Sequence, residues 1–493
     1  MIAAAKDMKG TVMDRRNFIK KSAVGLGVGA MAAMHEMIDS FPAHALATSR
    51  GMGIAEGNYF LDLGREKNIM PTVRPEITRN PRAVFLVRTR VDARLDETGH
   101  YTEAWPQLHE EGTRIARYLF VRGERKGGTT FIKPNFTGVL EHCFNRTTGV
   151  YSAPDFVVGV VEHLREIGNS NVACGDNPIN AVNHRLGGVY DAFDPYDVLM
   201  IEAGYDRFSD YEKDELNWVK VKNSLVWNQV PYFKPIMNED NFFINIATLK
   251  NHLTALTTLA VKNLQGCVVK GHGQFCQPAV SLEQLAESAG IGFARGFQQD
   301  FFPRVEESYR RHRSFKRWEH NTEMFGNFEK YEELGGYAAY RKIRKDREAY
   351  RAFIDQVGNL MRQEMWIHRG LDNAATLRPD LNIIEGIIGL DGNEHSWGEI
   401  GSDQLCNIVI AGCSPYEVDA VGNWIMGHDP NEIWYTRIAR ERGLGECDIE
   451  KIEINWVRDD GTIEPVKSIT EIPRYKLGVN WANAKDPDER LFW

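Results

Sequence analysis

The chain has 493 residues, 43% hydrophobic and 26% charged, a globular composition that fits one large α/β domain with insertions better than one ordinary domain. Residues 1–47 carry six Lys/Arg and four Asp/Glu, a balance of +2, so a total of −9 leaves about −11 for the rest. That acidity excludes nucleic acid as a general partner, because neutralising phosphates takes clustered cations.

The front end has the order of an export signal: Asp14-Arg15-Arg16-Asn17-Phe18-Ile19-Lys20, then a mild apolar run from Ala23 to Met34, then the small-residue sites Ala43-His44-Ala45 and Ala45-Leu46-Ala47. Both arginines, the Phe two places on and the Lys four on resemble a twin-arginine signal. The resemblance implies residues 1–47 as a signal peptide, the twin-arginine translocation machinery as a partner, and a periplasmic or otherwise extracytoplasmic location. That route carries folded proteins, which suggests either a cofactor or metal inserted before export or folding too fast for threading. The apolar run is too short and too rich in Gly and Ala to span a bilayer securely, and no later segment approaches about 20 apolar residues. No stable membrane span is therefore expected in the mature protein.

Seven cysteines are present and none forms C-x-x-C, so an iron–sulfur cluster of the ferredoxin type has no ligand run. Cys174 and Cys406 sit inside apolar strand-like runs, where a small buried hydrophobe is expected.

Ala83 to Val87 reads as a first strand and Trp105 to Tyr118 as a helix with Leu108, Ile115 and Leu119 inward. Thr129 to Lys133 is a second strand that stops at Pro134, leaving Lys133 and Asn135 at its exit. Ser152-Ala153-Pro154-Asp155 reads as a capping box. It opens a helix that buries Val157, Val160, Val161, Leu164 and Ile167 and ends at Gly168. Asn171 to Cys174 is a strand left through Gly175-Asp176-Asn177-Pro178. Strand, helix, strand over this length is a βαβ unit and implies a parallel pair. Val198 to Ile201 is a further strand.

The stretch from Asn241 to Gly273 carries the densest polar signal. Phe242 to Ile246 is a strand. The spacing then predicts a turn holding Lys250 and His252, and a helix with Leu253, Leu256, Ala260 and Leu264 on one face and Gly266 as its C-cap. Lys262 and Asn263 lie off that stripe, and His272 lies just beyond in a Gly-His-Gly loop.

Residues 295–370 are crowded with Arg, Glu, Tyr and Phe, among them Arg304, Arg311, Tyr337 and Tyr340. They read as two or more inserted helices with mixed surfaces, either a cap over a pocket or a subunit contact. Asn382 to Ile388 and Asn407 to Ala411 return to strand character. Between them the loop from Gly389 to Gly401 carries Asp391, Glu394, His395 and Glu399. Pro415 opens a helix with Val418, Val421 and Ile425 inward, capped by Gly427. Asp429-Pro430-Asn431-Glu432 reads as a second capping box. Ile449 to Val457 alternates like an edge strand.

Several of these segments, in the same order, resemble the family catalogued as domain of unknown function 362: Ile132-Lys133-Pro134-Asn135, Gly175-Asp176-Asn177-Pro178, the run from Ile244 to Gly266, Ile384-Glu385-Gly386 with Asp391-Gly392, and Val418-Asp419-Ala420-Val421 through Met426-Gly427-His428-Asp429-Pro430. The resemblance implies an α/β fold. Many members carry an added iron–sulfur domain, and this chain lacks its cysteines. The family has no settled activity, so the resemblance supplies architecture and candidate positions rather than a reaction.

The fold expected is α/β, a mostly parallel open sheet with flanking helices. It comprises residues 48–294 and 371–493 with a helical insertion at 295–370. If the strands are parallel neighbours, three polar exits converge at one edge. The expected function is an enzyme acting on a small anionic or carbonyl-bearing molecule. Lys133, Lys250 or Lys262 would hold the anion, and His252 would act as acid or base alongside Lys250, Lys133 and Asp176. Asn135, Asn177, Asn263 and His272 would bind substrate. A metal ion at Asp176, Glu385 or His395 is an option the residues leave open, as is an oligomer. The competing expectation is a non-catalytic periplasmic ligand binder or metalloprotein-assembly factor.

Overall fold

In the computed structural model of the protein, five parallel strands carry their carboxyl ends to one edge of a ten-stranded mixed sheet. The structure describes residues 68–95, 101–102, 104–136, 146–176, 189–202, 216–233, 240–252, 255–268, 301–312, 327–343, 346–357, 362–392 and 401–478, with Ile236 and Gln298. The candidates Asn177, His272 and His395, and residues 1–47, lie outside the described residues.

The sheet strands are β1 (Val84–Arg88), β2 (Thr130–Pro134), β3 (Val172–Asp176), β4 (Leu199–Glu202) and β5 (Phe242–His252). They continue with β6 (Leu256–Thr258), β7 (Leu381–Asp391), β8 (Ser402–Gly412), β9 (Ile454–Val457) and β10 (Ile463–Pro465). Their order is β10-β9-β1-β8-β7-β5-β2-β3-β4, with β6 folded back antiparallel on β5. From β2 the chain runs outward through β3 and β4, then returns on the other side of β2 as β5 and β7. The sheet therefore changes direction between β2 and β5, the place where open α/β sheets take ligands. β7, β5, β2, β3 and β4 form the parallel block, and β8 runs antiparallel beside β7.

Helices α1 (Trp105–Leu119) and α2 (Pro154–Glu166) precede β2 and β3 respectively. The short α3 (Ala260–Asn263) and a 3₁₀ turn, Leu264–Cys267, follow β6. Between β5 and β7 come α4 (Phe301–His312), α5 (Phe328–Glu333), α6 (Gly336–Ile343), α7 (Arg347–Val357) and α8 (Arg362–Leu377). Helices α9 (Pro415–Ile425) and α10 (Trp434–Glu441) follow β8. Among the described residues no helix is long and apolar enough to cross a membrane.

One core lies between α9 and the sheet: Val418, Val421 and Ile425 pack with Ala247, Leu249, Ile384 and Leu259. The other spreads from Phe131 and Phe243 into the helices between β5 and β7, where Phe302 stacks on Tyr340 with centroids 5.1 Å apart. Gly168 and Gly427 end α2 and α9 at φ +98° and +100°, the left-handed conformation that glycine adopts without penalty.

Several expectations need correction. From Leu256 on, the helix expected to reach Gly266 is instead strand β6, one turn of α3 and a 3₁₀ turn, and Leu253 lies outside the described residues. Leu256, at φ +73°, cannot sit in a right-handed helix. The strand expected to stop at Ile246 runs on to His252, so Lys250 and His252 belong to the strand rather than to a turn. Pairing with both β6 and β7 satisfies its backbone there, which lets polar residues continue a buried strand. Neither expected capping box forms: the N-caps of α2 and α10 are Ala153 and Ile433. The segment from Ile449 to Val457 splits into a 3₁₀ turn and β9, which lies between β10 and β1.

Candidate functional site

The site begins with the register of three strands. Lys133 on β2 pairs with Asn245 on β5, which pairs with Asn382 on β7. Parallel partners share a face of the sheet, so these three polar residues form one cross-strand row inside otherwise apolar strands. Asn245 donates to Asn382 Oδ1 at 2.9 Å and to the carbonyl of Ala260 at 3.0 Å. Asn263, at the end of α3, donates to Asn245 Oδ1 at 2.8 Å. Sequence reasoning missed Asn245 and Asn382; the available signal was a lone amide within an apolar strand.

Lys133 closes this row at the carboxyl end of β2. Its ammonium donates to Asp176 Oδ1 at 2.8 Å, Asn263 Oδ1 at 3.0 Å and the Pro134 carbonyl at 2.5 Å. Those three partners use all of its donors. Asp176 Oδ2 accepts from the Phe136 amide at 2.7 Å. The 3₁₀ turn lies directly against the ion pair, since a Cβ on Gly266 would fall 2.2 Å from Asp176 Oδ1 and 2.6 Å from Lys133 Cε. Gly266 was expected as a helix C-cap; its actual requirement is closeness to this pair.

Asn135, one residue past β2, bridges to a second group. Its Nδ2 donates to Asn263 Oδ1 at 3.1 Å, and its Oδ1 accepts from Lys250 Nζ at 3.1 Å. β5 extends beyond the end of β2, which pairs only as far as Pro134 with Ile246. Lys250 therefore overhangs the exit of β2, and its Nζ also donates to the carbonyl of Val150.

The segment Thr148–Ala153 straps this overhang down. Gly149 offers its carbonyl to Thr248 Oγ1 at 3.1 Å and its amide to Asp403 Oδ1 at 2.8 Å. Ser152, expected as a helix cap, accepts instead from the Asn135 amide at 3.0 Å and donates to the Ile246 carbonyl at 2.9 Å. At the end of the strap the Ala153 amide meets Glu385 Oε2 at 3.4 Å.

Glu385 pairs with Thr248, so it shares a sheet face with Thr248 and Lys250. It stands just before a bulge in β7, and its Oε1 accepts from the freed Ile387 amide at 3.0 Å. Bulges re-aim side chains and free backbone donors. Complete burial pushes the Glu385 carboxyl up to about 7, against the opposing pull of the Ala153, Ile387 and Ile388 amides. Sequence reasoning took Glu385 only as a metal candidate. A second buried carboxyl, Asp419 on α9, accepts from the Ala260 and Val261 amides at 2.7 and 3.0 Å and so fixes the start of α3. Burial raises it to about 8.

The structure thus brings together Lys133, Asp176, Asn135, Asn263 and Lys250. His252 is buried and turned to other partners: its Nδ1 accepts from the Ala255 amide at 3.0 Å, and its ring stacks on Trp366 with centroids 5.8 Å apart. Lys262 is half-buried on α3. Both oxygens of Asp176 and both of Glu385 already accept hydrogen bonds from the protein. Among the described residues no three His, Cys, Asp or Glu are grouped to hold a metal. The described cysteines are free, and Cys174 and Cys406 are buried.

A family model described as Domain of unknown function (DUF362) matches residues 130–423, more than half of the chain and all of the cluster just described. No curated protein and no solved structure matches the chain.

Proposed function

The chain belongs to the domain of unknown function 362 family, and from that premise we propose that it is an exported enzyme acting on a small anionic or carbonyl-bearing molecule at the carboxyl edge of its sheet. The observation that carries this reading is the Asn135 bridge. One amide joins the Lys250 ammonium to the Lys133–Asp176–Asn263 group at the point where the sheet changes direction. Lys250 would receive the anion or polarise the carbonyl, and Asn135 would orient it. Lys133, with its donors committed, positions Asp176 and Asn263. Glu385, whose carboxyl burial pushes up to about 7 and which lies on the same sheet face as Lys250, is the first choice for a proton carrier. His252 could take part only through Nε2, since Nδ1 is committed to Ala255.

Export rests on Arg15 and Arg16 with Phe18 and Lys20 and is tested by cell fractionation of an R15K/R16K variant, which should stay cytoplasmic. A non-catalytic periplasmic ligand binder or metalloprotein-assembly factor is the second reading. It draws on the internal satisfaction of Lys133, which suits a rigid scaffold as well as a catalyst.

The experiment that separates them is a screen of small carboxylates, phosphates and keto acids against the purified protein and its Asn135→Ala variant, following both melting temperature and turnover. The enzyme reading expects one class to be bound and converted, with both responses lost in the variant. Binding without turnover supports the second reading. No response to any class, or equal responses in the two proteins, overturns the site.

A further inference from the structure

A cavity of about 390 Å³ lies where α4 and α8 of the inserted helices meet α10. It is separate in its residues from the strand-edge cluster. Its walls are Leu225, Pro303 and Ile438, and its polar lining includes Arg304, Arg311, Arg442, Ser308 and His368. The volume is in the range of small-molecule sites.

The floor invites reading as a nucleophile and its base, because His368 Nε2 lies 2.7 Å from Ser308 Oγ. Proton placement argues against it. Arg442 Nη1, which can only donate, faces His368 Nδ1 at 3.5 Å. Nδ1 therefore keeps its lone pair and the ring proton sits on Nε2. That N–H donates to Ser308, whose own hydrogen goes to the buried carboxylate of Glu364. Ser308 therefore has no imidazole lone pair to receive its proton, and the pair is a hydrogen-bonded floor.

The cations above it are placed differently. Arg442 is anchored: its Nη2 meets Asp372 Oδ1 at 2.5 Å, and that fully buried carboxylate also accepts from the Leu225, Val226 and Trp227 amides. With the Asn223 carbonyl and His368 as its remaining partners, the guanidinium keeps two of its five N–H groups. Arg304 and Arg311 are exposed on the cavity face of α4, and among the described residues neither has an ion-pair partner. Of the lining acids, Glu441 is already paired with His312 at 3.2 Å and Arg437 at 3.1 Å. Among the described lining residues, Glu307 is the remaining carboxylate.

We propose that this cavity is a second binding site, for a small oxyanion, carboxylate or phosphate, carried on an apolar body. Arg442 is the fixed cation, Arg304 and Arg311 are the outer clamps, and Leu225, Pro303 and Ile438 form the apolar wall. The oxyanion accepts paired N–H bonds from the Arg304 and Arg311 guanidinium groups, a geometry that fits planar carboxylate and phosphate alike, and single bonds from Arg442. Because α4 and α8 lie in the chain between β5 and β7 while Arg442 follows α10, an occupant would tie these elements together.

The test is calorimetric titration of the protein with benzoate, phenyl phosphate and inorganic phosphate, repeated on R304Q/R311Q and on N135A. The two arginines are exposed, so unchanged melting without ligand shows that the variant folds; the single variants serve if the pair does not. We expect benzoate or phenyl phosphate to bind, with affinity at least about tenfold weaker in R304Q/R311Q and unchanged in N135A. Tighter benzoate binding identifies a carboxylate ligand, and tighter phenyl phosphate binding a phosphoryl ligand. Absence of binding by all three probes, a smaller loss in the arginine variant, or a loss in N135A overturns the site. The N135A arm keeps this outcome distinct from that of the strand-edge reading.

Discussion

The Lys133 ammonium lies 2.8 Å from the Asp176 carboxylate, with the two side chains only 1% and 3% exposed. Such a pair stabilises little in itself, but removing one partner leaves a buried charge without compensation. Lys133→Met is expected to cost about 3–5 kcal/mol in denaturant unfolding. Adding Asp176→Leu should recover part of that loss. A cost under about 1 kcal/mol for the single variant would contradict the burial described for this pair.

Gly266 gives a second test of the same packing. An added methyl meets Asp176 and Lys133 at distances below van der Waals contact, so Gly266→Ala should destabilise by about 1–3 kcal/mol through overpacking. Unchanged stability would mean that the 3₁₀ turn does not rest on the pair.

The pH dependence of stability should carry the mark of Glu385. Its carboxyl moves from an ordinary 4.5 to about 7 on folding, so the folded protein holds a proton that the unfolded chain has released. The contribution is fully present below pH 4.5 and is lost as the pH rises to about 7. A constant penalty on the order of 3 kcal/mol remains above that. Asp419, raised from 3.8 to about 8, acts in the same direction. Glu385→Gln should flatten the decline between pH 4.5 and 7. An unaltered slope in urea titrations across that window would contradict the raised value.

His252→Ala is expected to lower stability by about 2–4 kcal/mol. It removes a buried ring that stacks on Trp366 and leaves the Ala255 amide without its acceptor. Sequence alone suggests a turn position where the change would spare stability. Unchanged melting would return His252 to that role.

The parallel strands were legible because Phe242–Ile246, Thr129–Lys133 and Asn171–Cys174 are apolar runs bounded by Pro or polar exits. So were the faces of α2 and α9, where Val157, Val160, Val418 and Val421 repeat at helical spacing. What failed was the passage from Lys250 to Gly266. Leu256, Ala260 and Leu264 keep a helical period by coincidence across a strand, a short helix and a 3₁₀ turn. The β-branched Thr257 and Thr258 were the countersignal. The meeting of Lys133, Asp176 and Lys250 could be argued from strand order. Bonds made across long sequence separations, such as Ser152 to Ile246 or Gly266 against Asp176, leave no local pattern to read.

On the proposed function, a small ligand binds where Asn135 joins Lys250 to the Lys133 group. Crystals of the protein soaked separately with pyruvate and with inorganic phosphate would reveal that ligand. One of them is expected within hydrogen-bond reach of both Asn135 Nδ2 and Lys250 Nζ, with Lys133 still on Asp176. Density confined to the cavity beside Arg442, or at neither place, would contradict it.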